Sequence, residues 1–480
     1  LNLDRAWTVG VAGFLLILML IGGTSRPLPA IALIQHVASL ALFVLAIIRL
    51  RSGLPSPAAG HGLMILALGV SLVGLQLVPM PPALWTALPG RQFVLESLVA
   101  TGTTPGWMPL SLSPPATRAV LLALLPPIAL FTAALTLAPE DRKFVGVGMI
   151  FLVVFNVLLG LGQKFQGAGS ALHFYANSDE VASGIFANSN FYAASLYATI
   201  PVAAALAIAW SRHRAANRFV VVFFSVILLA VVIVGLAAAA SRAGIVLAMA
   251  AVLACGFLPW GRSDEDKKPQ VVSRMTMLAF FGALFLIAQF GLVGILRLAS
   301  TDPVNDYRTV ISQVSSKAFS DVFPVGSGFG TFVPVYSLFE TPATMLEAVV
   351  NHAHNDWLEL AIEGGAPMIV LLLVFLIWYG VNTFRLWRRR SDGREDLIQR
   401  AAAISVGLLL LHSLVDYPLR TPALMGLFAL FCGLIAWGPA PIAQRRYRRA
   451  PSVSATDARE MPRASPKRSY FVRKDGSPPG

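Results

Sequence analysis

The densest run of polar, proton-exchanging side chains in this sequence is Asn351-His352-Ala353-His354-Asn355-Asp356-Trp357-Leu358-Glu359, and two of the seven histidines fall inside it. An imidazole takes up a proton near neutral pH, which is what a general base must do. The cluster therefore suits a transfer in which a hydroxyl loses its proton. The same residues also read as a helix start, with Asn351 or Asn355 as the cap and Asp356 and Glu359 in the first turn. Zinc is a poorer fit: His352 and His354 are two apart, no HExxH motif is present, and no cysteine set accompanies them. The expectation is a site without metal or cofactor. If a helix begins near Asn355, His352 and His354 point in different directions.

Arg242 is the second candidate. It sits in Ala239-Ala240-Ser241-Arg242-Ala243-Gly244, a very short turn between two strongly apolar runs. An arginine there is costly and by default functional. Its planar guanidinium suits phosphate oxygens, although a headgroup anchor is the plainer reading. Arg308, in Asp306-Tyr307-Arg308, precedes the histidines in one connection, as does Gly326-Ser327-Gly328-Phe329-Gly330-Thr331. That glycine run lacks the ending of a P-loop and reads as a tight turn. Two further polar stretches flank apolar runs. One, Gly184 to Tyr192, includes Asn188 and Asn190; its amides and aromatics suit sugar hydroxyls and helix caps equally. The other runs from His412 to Arg420. There Asp416 either holds an arginine in place or pairs with Arg420, four residues on.

The elements that must position these residues are membrane helices. Of the 480 residues, 56% are hydrophobic and 13% charged, with a mean hydropathy of +0.70. A soluble domain carries about 25% charged residues. About twelve runs reach or approach the roughly 20 residues that span a bilayer. They lie near 6–23, 28–48, 62–79, 119–138, 144–162, 190–210, 219–238, 243–260, 275–296, 366–382, 401–415 and 422–438. The fold expected is all-α and polytopic, and the first run is long enough to be a span rather than a cleaved signal peptide. Cys255 and Cys432 both lie inside apolar runs and read as small core residues.

Orientation follows from the basic residues. A cytoplasmic N-terminus leaves outside only Arg26, Arg91, Arg118, Lys164, Arg242, Arg297, Arg308, Lys317 and Arg420 of the 37 lysines and arginines. The excess inside places both termini in the cytoplasm. The net charge of +13 is spread over short loops and a tail, which is a topology signal and not a nucleic-acid surface. Three long connections, 80–118, 163–189 and 297–356, fall on the outer, periplasmic side and are expected to be ordered. Residues 1–438 form the membrane domain. Residues 439–480, rich in Arg, Pro and Ser, read as a disordered basic tail drawn to anionic membrane lipids.

Taken together, these stretches resemble the O-antigen ligase and the O-antigen or exopolysaccharide polymerase superfamily of bacterial inner-membrane proteins. The resemblance rests on Gly184–Asn190, Ser241-Arg242, the Pro324–Phe332 glycine run, Ala353-His354-Asn355-Asp356, and Ser413 with Asp416, and it covers roughly residues 110–436. It implies a GT-C-like helical fold acting at the periplasmic face. It implies a donor glycan on undecaprenyl diphosphate and a glycolipid or glycan acceptor, with no metal or nucleotide sugar. His354 matches the family's essential histidine, and Arg242 and Arg308 match its diphosphate-binding arginines. Asn188, Asn190, His352, Asn355, Asp356 and Asp416 are supporting residues. The ligase histidine pattern fits through His354-Asn355 and Gly365 and departs at Met368. Ligation to lipid A–core is the leading expectation and polymerisation of lipid-linked repeat units the alternative. A transporter of lipid-linked glycan is a further alternative. It would also need a basic cavity, but not a histidine at its mouth, and it usually shows internal pseudo-symmetry.

Overall fold

The computed structural model describes residues 3–167, 169–175, 181–211, 217–258, 303–389 and 394–438. Its helices in chain order are α1 (Leu3–Ile21), α2 (Pro29–Leu50), α3 (Pro57–Leu75), α4 (Pro82–Trp85), α5 (Gln92–Ala100), α6 (Pro114–Ala123), α7 (Leu125–Ala134) and α8 (Arg142–Gln166). They continue with α9 (Ser189–Ser211), α10 (Arg218–Ala239), α11 (Arg242–Cys255), α12 (Pro303–Val322), α13 (Phe332–Ser337), α14 (Asp356–Arg388), α15 (Arg394–His412) and α16 (Pro422–Ala436). The only strands among the described residues are β1 (Pro79–Met80) and β2 (Met108–Pro109), paired antiparallel with Pro79 opposite Pro109. The protein is an all-α, polytopic membrane protein. Eight helices among the described residues are long and apolar enough to cross a bilayer, counting 114–134 as one.

Each apolar run within the described residues coincides with a helix; the run 275–296 and the tail from 439 lie outside them. The boundaries differ where prolines and glycines intervene. The run 119–138 is two helices, because Pro126 and Pro127 lack the N–H groups that would carry the ladder past Leu124. Helix α14 starts ten residues before the run at 366–382 and is broken at Gly365 (φ 61°, ψ −154°). A Cβ at Gly365 would collide with the Pro324 carbonyl oxygen, so only glycine fits. Helices α11 and α16 have 14 and 15 residues, shorter than a full span.

Helix α9 is the centre of the bundle, buried almost continuously from Phe191 to Val202. In lipid, association between helices depends on close backbone approach and buried hydroxyls. Ala193 lies against Gly244 of α11. Ser405 of α15 donates to the Ala198 carbonyl at 2.7 Å. At one end of the bundle, Arg5 faces Asp141 and Arg49 binds Asp4. The buried Arg142 lies over the Trp437 ring there, and Arg400 donates to the carbonyls of Leu258 and Arg389.

The long connections gather at the other end. There Ile311, Val314, Ala318, Val322, Phe332, Val335, Tyr336 and Ile362 make a second, smaller apolar core. The first connection is pinned to it by buried Arg91, which donates to the carbonyls of Leu110 and Gly326, and by a Leu112 N–H to Ser327 O bond of 2.8 Å.

Candidate functional site

Asn355 caps α14, its side-chain oxygen accepting from the Leu358 N–H at 3.1 Å. The chain enters that cap through His354 in the left-handed region, at φ 51°. Among the described residues only Ala240 and His354 are non-glycine with positive φ, and both border this site. Such a conformation costs of order 1–2 kcal/mol and persists where its surroundings over-determine it. The turn sets His354 Nδ1 3.2 Å from Asp416 Oδ1. Asp416 is 1% exposed and the imidazole 29%, so the ring lies between a buried carboxylate and open space.

Burial by itself would raise the Asp416 carboxyl. The hydrogen bond and charge of His354, with the charges of His412 and Arg308, outweigh burial and hold it below its ordinary value. An ionised Asp416 only accepts. His354 Nδ1 therefore carries the hydrogen of that bond, and whenever the ring is neutral its lone pair is on Nε2.

Asp416 is also the node that joins the other candidates. Its Oδ2 accepts from Asn190 Nδ2 at 2.5 Å and lies 3.9 Å from Arg308 Nη2. The Asn190 Oδ1 in turn accepts from the Ser241 hydroxyl at 2.7 Å. Ser241 caps α11 by accepting the Gly244 N–H, and Arg242 is the first residue of that helix. The start of α11 is thus two side-chain hydrogen bonds from the carboxylate that holds His354. Asn188 accepts the Asn190 N–H at 2.7 Å and bonds the Tyr417 hydroxyl.

His352 belongs to a different assembly. Its Nδ1 meets Glu359 Oε1 at 2.9 Å and its Nε2 meets Ser25 Oγ at 3.1 Å. The Tyr417 ring lies between the two histidines, 4.2 Å from the His352 centroid and 5.0 Å from that of His354. The two imidazoles face different carboxylates, which is the wrong arrangement for a shared zinc. Among the described residues no group of three or more His, Cys, Asp or Glu side chains could hold a metal ion.

Two readings that the sequence leaves open are decided by the structure. Asp416 does not pair with Arg420. The guanidinium of Arg420 is enclosed by Asp356 (3.4 Å), Glu359 (3.4 Å) and Glu363 (3.0 Å), all buried on α14. Ser413 Oγ also donates to Asp356, at 2.8 Å, so Asp356 serves the cage and not the imidazole of His354. The signal was present in the sequence: positions 356, 359 and 363 share one helical face. The glycine run, in turn, is a clasp around the break in α14. The N–H groups of Gly326, Ser327 and Gly328 go to the carbonyls of Val322, Ile362 and Glu363. Those of Phe329 and Gly330 go to the side chains of Gln76 and Glu363. With every N–H from 326 to 330 engaged, the run offers nothing to an anion.

A family model for O-antigen ligases matches residues 227–373, the stretch that holds Arg242, Arg308, the glycine clasp and His354. The match supports a place in the O-antigen ligase and polymerase superfamily. No curated protein matches the chain. Asn188, Asn190, Asp416 and Arg420 lie outside the matched stretch, and the hydrogen bonds and ion pairs above are what attach them to the family's histidine segment. The match supports an enzyme of the ligase or polymerase kind in a multi-pass membrane protein.

Proposed function

We propose that this chain is an O-antigen ligase-like glycosyltransferase that moves a glycan from undecaprenyl diphosphate to a hydroxyl of lipid A–core, at the periplasmic face of the inner membrane. The observation that carries the proposal is the His354–Asp416 pair, whose carboxylate also meets Arg308 and is tied through Asn190 to the start of α11. His354 Nε2 is the atom that accepts the proton of the attacking hydroxyl. Asp416 keeps the imidazole in the tautomer that leaves Nε2 open and stabilises the imidazolium as it forms. Arg242 and Arg308 hold the diphosphate, already a good leaving group, and offset its growing charge. In-line attack inverts the anomeric carbon. No step in this sequence requires a metal.

The orientation proposed is the one the charge asymmetry favours. The site is gathered with the long connections, and the buried basic residues Arg142 and Arg400 sit at the opposite end. The departure from the ligase histidine pattern at Met368 favours a second reading, a polymerase that joins two lipid-linked repeat units. Purified protein in proteoliposomes separates the two. Given lipid-linked glycan and lipid A–core, a ligase yields glycosylated lipid A–core. Given donor alone, a polymerase yields longer lipid-linked glycan. His354→Ala is expected to abolish either product while donor still binds. Failure of the wild-type protein to form either product would overturn the proposal, and so would an active His354→Ala enzyme. Labelling of a cysteine at position 475 from outside intact spheroplasts, with one at 340 protected, would reverse the orientation.

A further inference from the structure

The far end of α14 carries a feature with no part in the chemistry above. A groove of about 570 Å³ is lined by Gly380, Val381, Phe384, Arg385, Arg388 and Arg389. Gly380 opens it, since a Cβ there would meet no atom within 4 Å. Arg389 is occupied by Gln399 at 3.1 Å and Asp396 at 3.6 Å. Arg385 and Arg388 are exposed, three residues apart, and neither meets a carboxylate among the described residues. The Arg388 guanidinium is presented over the Phe384 ring, 5.7 Å from its centroid.

The same helix is apolar toward its middle. Val370, Leu373, Val374, Ile377, Val381 and Phe384 are all exposed, and their spacing of three and four residues makes them one continuous stripe. From 370 to 384 the stripe is about 21 Å long at 1.5 Å per residue. That exceeds one leaflet of the hydrocarbon core, roughly 15 Å deep. An apolar stripe long enough for one acyl chain, ending in two guanidinium groups beside a notch, matches the shape of an anionic lipid and complements its charge.

We propose that this groove binds an anionic glycerophospholipid, with Arg385 and Arg388 gripping the phosphate oxygens and an acyl chain lying along the stripe. Two planar guanidiniums fit phosphate oxygens as forks, and a zwitterionic headgroup offers them no net charge. The stripe is what distinguishes a lipid from a free phosphate ester, which would have no use for it. The binding is independent of His354 and of the transfer reaction.

Native mass spectrometry of the full-length protein tests this, reading the lipid retained after delipidation and titration with phosphatidylglycerol or phosphatidylethanolamine. Phosphatidylglycerol is expected to be retained in preference. Arg385→Gln with Arg388→Gln should weaken it roughly 30-fold, from about fivefold per basic residue near an anionic headgroup. The double lysine variant, which keeps the charge but loses the forks, should weaken retention less than the double glutamine variant. Gly380→Leu, which fills the notch without changing charge, should also weaken retention. Equal retention of the two lipids would overturn the proposal. So would unchanged phosphatidylglycerol retention in the double glutamine variant or in Gly380→Leu. Displacement of the lipid by an equal concentration of glycerol phosphate would show that the stripe contributes nothing, and would overturn it too.

Discussion

Replacing Asp416 by asparagine keeps the shape of the side chain and removes two things, its charge and its ability to accept at both oxygens. Asp416 now accepts from His354 Nδ1 on one oxygen and from Asn190 Nδ2 on the other. An asparagine has one oxygen and one NH2, so one of these bonds becomes donor against donor. With the NH2 toward Asn190, the contact with Asn190 is lost, and with it the tie to Ser241. With the NH2 toward His354, the imidazole must accept at Nδ1 and carry its proton on Nε2, where it cannot act as base. In either case the imidazolium formed during transfer loses a full negative charge beside it. At about 4 Å and an effective dielectric of 20, that attraction is about 4 kcal/mol. The expected loss is about 100- to 1,000-fold in single-turnover transfer. The assay is transfer from lipid-linked donor under single-turnover conditions, with thermal melting as a check on folding. A well-folded Asp416→Asn protein that transfers at the wild-type rate would refute the tautomer argument.

Four further outcomes are expected. Arg242→Lys keeps the charge but loses the planar fork, and should cost roughly 2–4 kcal/mol, about 30- to 1,000-fold in transfer rate; wild-type transfer would reduce Arg242 to a headgroup anchor. Arg420→Met leaves three buried carboxylates around an apolar side chain, so stability should fall by about 3–5 kcal/mol, read as a lowered melting temperature. His352→Ala should lower transfer about tenfold by loosening the Ser25 and Glu359 contacts, a loss far smaller than that of His354→Ala in the same assay. Because Asp416 is held below its ordinary value of 3.8, the stability it contributes is present above pH 4 and is lost as pH falls through the folded value. The acid side of the melting profile should therefore be flatter in Asp416→Asn than in wild type, and identical profiles would count against the ion-pair network.

The sequence was most legible where physics is local. Bilayer-length apolar runs have to become helices, and those at 190–210 and 219–238 did so within a few residues. Asn355 was legible as a helix start because a side-chain acceptor beside an apolar run is what unpaired N–H groups require. Legibility ended where partners are distant in the chain. Arg420 stands four residues from Asp416, and in a helix the two would be neighbours. The intervening turn is instead a short 3-10 segment, Pro418–Arg420, and the guanidinium reaches α14. The break at Gly365 was equally hidden, since nothing local indicates that the Pro324 carbonyl will occupy the space of a side chain.

One amide at the start of α9 joins the two halves of the site. Asn190 donates to Asp416 and accepts from Ser241, and only one orientation of its amide does both. In the proposed reaction one half handles the acceptor's proton and the other the donor's diphosphate, so the length of a single asparagine acts as a gauge for the span between attacking and departing groups. Such a gauge makes the two ends fail together. A shift of α9 would misplace base and leaving-group pocket by related amounts, and Asn190→Gln, one methylene longer, would stretch both settings at once. The tolerance of the site is then that of one rigid side chain, whatever the glycan between them.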